Sequence, residues 1–204
     1  MIIQWLGQSC FKIVTKNNQG EFTILTNPFK DSAGLKMPKT QADIVTLSSE
    51  KKETANLDAL KNDPYLIKNP GEYETKAVFI YGINSLVNRE KNFIYKIFSE
   101  EISLLHLGSL TETLNNEQLD RAGNIDVLFI LVDEKKSETK KISELISQIE
   151  PRIVIPMTTE AKIDEKFLND LAKSCGLKAE TIDKLKIMKK DLTTEETKMV
   201  ILQK

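Results

Sequence analysis

The feature that most constrains this chain is a change of hydrophobic period about halfway along it. Ile125-Asp-Val-Leu-Phe-Ile-Leu-Val132 is almost unbroken apolar sequence, which predicts a strand buried on both faces. The segment SETKKISELISQIEP follows, with Ile142, Leu145, Ile146 and Ile149 at helical spacing. It predicts a helix that starts at Ser137 and ends before Pro151. RIVIPM predicts a second buried strand, DEKFLNDLAKSCG a helix closed by Gly176, and KMVILQ a last strand. Ahead of this alternating half, LNNEQLDRAG reads as a helix with Asn115 as a possible N-cap and Gly123 as its stop.

The first half has a different grammar. MIIQWL and SCFKIVT are short apolar runs separated by Gly7, and EFTILTNPF follows the turn Asn17-Asn18-Gln19-Gly20, which predicts an antiparallel meander. DIVTLS, AVFIYGI, NFIYKIF and ISLLHLG predict four more strands, with a tight turn at SEE between the last two. A single doubly wound sheet needs helical crossovers where this half has hairpins. Two sheets packed face to face, with helices over the outer faces, would bury all of these elements. The expectation is therefore an α+β fold of two packed β-sheets flanked by helices, as one well-buried domain or two small ones that share the sheet stack. Ile44 and Val45, Leu128 to Ile130 and Ile153 to Ile155 are expected in adjoining core strands.

Composition narrows the function classes. The 204 residues carry a formal net charge of -1, which gives no electrostatic case for a nucleic-acid partner. No apolar run approaches the roughly 20 residues of a membrane span, and MIIQWLGQSCFKI turns polar too soon for a secretory leader. Two cysteines, Cys10 and Cys175, cannot build a disulfide framework, so a reduced cytoplasmic setting is the simplest expectation.

Several ordered segments resemble one family. IQWLGQSCFKI resembles an opening strand written W-x-G-H/Q-x-x-F, and TNPFKDSAGLKMPKTQADIVTLS resembles a D-P-F … ADIV-x-x-S-H block. NPGEYETKAVFIYGI, LLHLGSL, IDVLFILV, PRIVIPM and IDKLKIMKKDL follow in the same order. On these segments the chain resembles the metallo-β-lactamase fold superfamily, near its small uncharacterised zinc-dependent hydrolases and ascorbate-6-phosphate lactonase-like proteins. The resemblance implies the α+β fold in full, a four-layer αββα sandwich of two mixed β-sheets flanked by helices, as one domain over residues 1–204. It also implies hydrolysis at one or two Zn²⁺ ions, held by a His-x-His-x-Asp-His run, a further His, a bridging Asp and a final His.

Aligned to that pattern, Ser49 stands at the first histidine, Lys51 at the second, Glu53 at the aspartate and Thr54 at the last histidine of the run. Ser109 stands at the bridging aspartate, Thr158 at the closing histidine, and Gln8 at the H/Q position of the opening strand. Zinc needs neutral imidazoles, thiolates or carboxylates converging at about 2.0–2.2 Å for its N and O ligands. Hydroxyls are poor ligands at neutral pH, and an ammonium repels the ion. His106, the sole histidine in the chain, cannot hold zinc alone.

The expectation is therefore a vestigial pocket formed by Gln8, Ser49, Lys51, Glu53, Thr54, His106, Ser109 and Thr158, with no metal, no catalytic residue and no cofactor. The chain would be a catalytically inactive binding or structural module, partnered by itself or another protein. The alternative is a lactone- or phosphoester-hydrolase with an atypical site. His106 reads first as a hydrogen-bonded strand-end histidine, with metal ligation and acid–base catalysis as lesser readings. A serine nucleophile with Lys51 as base would need a depressed lysine pKa, which Glu50 and Glu53 oppose. Charge replacement is simpler, with Lys51 standing where the metal's charge stood and pairing with Glu53. Cys10 and Trp5 read as core.

Overall fold

The strands of the first half alternate inward and outward residues, and that alternation builds a sheet with two different faces. In the computed structural model, which describes residues 1–32, 34–50, 55–134, 138–160, 164–192 and 196–203, β1 (Ile2–Gly7), β2 (Cys10–Asn17) and β3 (Gly20–Thr26) form the expected antiparallel meander. Two short parallel strands, β4 (Ile44–Thr46) and β5 (Tyr65–Ile67), extend it. Its other edge is closed by β13 (Leu185–Lys186), giving the order β13-β1-β2-β3-β4-β5.

The second sheet begins with an antiparallel run, β6 (Gly71–Thr75), β7 (Val78–Val87), β8 (Glu90–Ser99) and β9 (Ile102–His106). Its three hairpins turn on Lys76-Ala77, Asn88-Arg89 and Glu100-Glu101, and all six of these residues have positive φ. That is the mirror-image two-residue turn whose twist suits a hairpin. The sheet continues through the parallel strands β10 (Val127–Leu131), β11 (Ile153–Met157), β14 (Lys198–Leu202) and β12 (Lys178–Ile182), in the order β12-β14-β11-β10-β9-β8-β7-β6.

Three cores follow from these faces. Between the sheets, Phe11, Ile13, Ile24 and Ile44 meet Tyr95, Leu104, Phe129 and Ile155. On the outside of the larger sheet lie α1 (Asn116–Ala122), α2 (Thr139–Ile149) and α3 (Glu165–Ser174). Helix α2 has no side-chain N-cap bond. It is held by burying Ile142, Leu145, Ile146 and Ile149, each worth about 1.5–3 kcal/mol. Its expected first residue, Ser137, lies outside the described residues. The outside of the smaller sheet is covered by loop residues Phe29, Leu35, Met37 and Ala42 and by a 3₁₀ turn at Leu57–Ala59.

The two-sheet α+β sandwich is therefore the observed fold. One placement within it is corrected: β10 and β11 are neighbours, but β4 lies in the other sheet. Ile44 reaches Phe129 and Ile155 across the sandwich, while Val45 points into the outer core. Strands β5, β6, β12 and β13 were not among the expected elements. No helix of the described residues is long and apolar enough to cross a membrane.

Two polar clasps fix the layers. The buried Tyr95 hydroxyl donates to the Leu47 carbonyl at 3.0 Å, joining β8 to the end of β4, and burial pushes its pKa far up. At the other end, Lys189 Nζ lies 2.9 Å from both oxygens of the largely buried Asp126. Asp126 also accepts from Ser103 N at 2.9 Å, so the C-terminal crossover is tied to the starts of β9 and β10.

Candidate functional site

The carboxyl ends of β3, β4, β9 and β11 open onto one edge of the sandwich, where their loops gather. Strand β9 ends on His106, which is 1 % exposed and packs against Phe11 and Phe129 with ring centroids 6.2 and 5.7 Å away. Its Nδ1 accepts from Gly108 N at 3.1 Å, so Nε2 carries the proton and donates to the Ser9 carbonyl at 3.0 Å. Burial lowers the imidazole pKa to about 4. The ring is neutral at pH 7, and neither nitrogen has a lone pair left for a ligand.

Gly108 has φ +63°, and a Cβ there would run into the Asn92 amide and the Ser48 Cβ. Asn92, on β8 and almost fully buried, donates to Ser85 Oγ at 2.6 Å and to the Leu107 carbonyl at 3.0 Å. Its Oδ1 accepts from Ser109 N at 2.8 Å. A second amide does the same work across the edge. Asn27, just after β3 and at φ 40°, accepts from Ser48 N at 2.7 Å. Its Nδ2 lies 3.2 Å from Ser48 Oγ and 3.4 Å from Ser9 Oγ.

These bonds shape a cleft of about 280 Å³ bordered by Gln8, Ser9, Asn27, Ser48, Ser49, Glu90 and Ser109. Ser109 is exposed and also borders a second cleft of similar size, with Asn88, Thr111, Asp133, Lys141 and Thr159. The structure thus brings Gln8, Ser49 and Ser109 together. His106 lies beneath them rather than in the cleft wall. Thr158 is 2 % exposed and turned inward, its Oγ1 accepting from Glu160 N at 3.0 Å, and it lines neither cleft. Lys51, Glu53 and Thr54 fall outside the described residues, and so does the expected Lys51–Glu53 pair.

Ser9, Asn27, Ser48, Glu90 and Asn92 were not expected in the site. Asn92 carried one signal, a polar residue opening the apolar run NFIYKIF. Asn27, in Thr-Asn-Pro-Phe, reads in sequence as ordinary turn chemistry.

The donor chemistry does not fit zinc. Zinc is held by imidazole, thiolate and carboxylate. The described cleft offers hydroxyls, amides and the single carboxylate of Glu90. Among the described residues no three His, Cys, Asp or Glu side chains come together in a way that could hold a metal ion.

Comparison with known proteins places this geometry. A family model, the beta-lactamase superfamily domain, matches residues 2–158. A Thermotoga maritima protein proposed to be a zn-dependent hydrolase of the metallo-beta-lactamase superfamily is 26 % identical, with 98 % of this chain and 97 % of that chain covered and a TM-score of 0.79. A Parabacteroides distasonis protein proposed to be a metal-dependent hydrolase is 14 % identical over 98 % and 93 % of the two chains, with a TM-score of 0.62. The metallo-beta-lactamase fold protein YhfI of Bacillus subtilis is 8 % identical over 100 % and 96 %, with a TM-score of 0.58. No curated protein matches the chain.

Proposed function

The chain belongs to the beta-lactamase superfamily, and from that premise we propose that it is a metal-free member acting as a binding or structural module rather than a hydrolase. The observation that carries the reading is the state of its one histidine. His106 spends both ring nitrogens on the backbone of Ser9 and Gly108, in a site buried enough to keep it uncharged. Around it, Asn27 and Asn92 hold the strand ends by neutral hydrogen bonds. In this reading the two amides tie together the strand ends at which the resemblance would have placed metal ligands.

In this reading Gln8, Ser49, Lys51, Glu53, Thr54, His106, Ser109 and Thr158 are the positions of a lost metal site. Lys51 replaces part of the missing positive charge and pairs with Glu53. The protein has no cofactor and works in the cytoplasm, where Cys10 and Cys175 stay reduced. Its partner is another protein or a second copy of itself, not nucleic acid or a membrane.

A second reading has one observation in its favour. The hydroxyls of Ser49 and Ser109 border an open cleft beside Glu90, an arrangement that a metal-independent hydrolase could use.

Metal analysis of protein prepared without chelator separates these readings, together with lactone and phosphodiester assays with and without added zinc. The proposal expects substoichiometric zinc and no turnover. It also expects unfolding free energies with zinc and with chelator to agree within about 0.3 kcal/mol, where a ligand at a hundredfold excess over its Kd adds about 2.7 kcal/mol. Stoichiometric zinc with zinc-dependent turnover overturns it. Turnover without metal that is lost in Ser49→Ala or Ser109→Ala establishes the second reading.

A further inference from the structure

The two sheets differ in what covers their outer faces. Leu105, Leu128, Val154 and Met199 point outward from the larger sheet and are fully buried beneath its helices. A sheet face is ordinarily covered in this way. Among the described residues no α-helix covers the smaller sheet. Its loop cover lies over β3 to β5 and over the end where β1 turns into β2.

On the part left open, Ile2 and Val14 stand side by side across β1 and β2. Both are partly exposed, and they join none of the three cores. Ile3, Ile13 and Leu185 point into the inter-sheet core, so strand alternation turns their neighbours to the outer face. Lys186 on β13 is therefore beside Ile2, and Lys12 and Lys16 lie two residues either side of Val14. Glu21, opposite Lys16, is the only carboxylate on β13, β1, β2 and β3. Three lysines against one glutamate make this face positive in a chain whose net charge is -1. Among the described residues none of the three lysines makes an ion pair. Asp43, at the margin, is already paired with Lys76.

We infer that this face docks an acidic amphipathic helix of another protein, which supplies the helix layer that the smaller sheet lacks. Four strands about 4.8 Å apart make a strip about 15–20 Å wide, enough for one helix about 10–12 Å across. The apolar stripe of that helix rests on Ile2 and Val14, and its flanking carboxylates reach Lys12, Lys16 and Lys186. A second copy of the chain does not fit, because two such faces would set lysines against lysines. Nucleic acid would use the lysines and leave Ile2 and Val14 without a partner. Two partly buried apolar residues give a bilayer little to bury. The surface is at the start of β1, at the other end of that strand from the serine-lined cleft, and the inference holds however that cleft is read.

Isothermal titration with hydrocarbon-stapled peptide helices of about three turns, or about 16 Å, tests the inference. The probe helices carry a leucine stripe flanked by glutamates. One control flanks the same stripe with lysines, and another keeps the glutamates and replaces the leucines with serines. Phosphatidylglycerol vesicles and a thymidine oligonucleotide complete the set. At least one acidic amphipathic helix should bind saturably, at least tenfold more tightly than either control, and more weakly as salt rises. Methyl NMR shifts should centre on Ile2 and Val14. The surface double variant Lys12→Glu, Lys186→Glu should unfold thermally as the parent does and lose at least tenfold in affinity. The milder pair Lys12→Gln, Lys186→Gln should lose at least threefold, which keeps the test decisive if charge reversal impairs folding. No saturable binding of the acidic helices overturns the inference, and so does equal binding of either control. Tighter binding of the vesicles or the oligonucleotide, shifts centred elsewhere, or unchanged affinity in the variants overturns it as well.

Discussion

At the carboxyl ends of the strands, Asn27, Asn92 and His106 knit the loops together with neutral hydrogen bonds. At the amino ends, Asp126 and Lys189 close the sandwich with an ion pair. The first arrangement is buried at its base and works by direction: each amide or imidazole has partners on fixed sides. The second works by charge, with Lys189 half exposed to solvent. The difference teaches which end tolerates change. A buried polar group stripped of its partner costs its full desolvation, whereas a partly solvated ion pair loses only a screened attraction.

Gly108→Ala should break the neutral end most severely. The new methyl meets the Asn92 amide and Ser48 at a left-handed backbone position. Backbone strain of about 1–2 kcal/mol and displacement of a buried amide at about 1–3 kcal/mol together predict a loss of roughly 3–4 kcal/mol in denaturant unfolding. A loss under about 1 kcal/mol would mean that this end is not rigidly packed.

Acid should come next. Folded His106 stays neutral down to about pH 4, while in the unfolded chain it protonates near its ordinary value of 6.5. Above 6.5 both states are neutral and stability is complete. As pH falls below 6.5 the unfolded state takes up a proton that the folded state refuses, so the contribution of His106 drops until about pH 4 and then levels. The full loss is on the order of 3 kcal/mol. Stability measured against pH should lose this slope in His106→Gln. A parent without the slope would show that the imidazole is not buried neutral.

Asp126→Asn should cost less, about 1–2 kcal/mol, because an amide oxygen still accepts from Ser103 N while the charge and the Lys189 bond to Oδ1 are lost. The cost should shrink in high salt. A cost that ignores salt would remove the contrast between the two ends. The smallest effect is expected for Ser109→Ala. Its backbone N–H, not its side chain, makes the bond to Asn92, and the residue is exposed. Stability should stay within about ±0.5 kcal/mol. A larger loss would mean that its hydroxyl holds the cleft.

Much of this was legible in the sequence, and particular residues say why. Helix α2 was visible because Ile142, Leu145, Ile146 and Ile149 repeat at helical spacing, and the same four residues are buried. Helix α1 was visible from Asn115 and Gly123, which do cap it. Strand β12 was missed because Lys-Ala-Glu-Thr-Ile sits at a sheet edge and needs few apolar residues. Strand β6 was missed for the same reason, and because its turn at Lys76-Ala77 lacks the glycine that usually marks a hairpin. The pairing of β4 with β3 and β5, rather than with the later strands, has no local signature.

By itself the sequence determined the two grammars of the chain, the sandwich they imply and the residue types at its strand ends. It gave this chain a single histidine, and no fold can supply more. Periodicity and composition are local, so they can be read without coordinates. Only the tertiary structure decided that His106 turns both nitrogens to backbone partners, that Asn27 and Asn92 bind the loops from opposite sides, and that the three helices gather on the larger sheet. Each of these depends on residues far apart in the chain meeting at one place, as Ser9 and His106 do, and on burial that removes water as the competing partner.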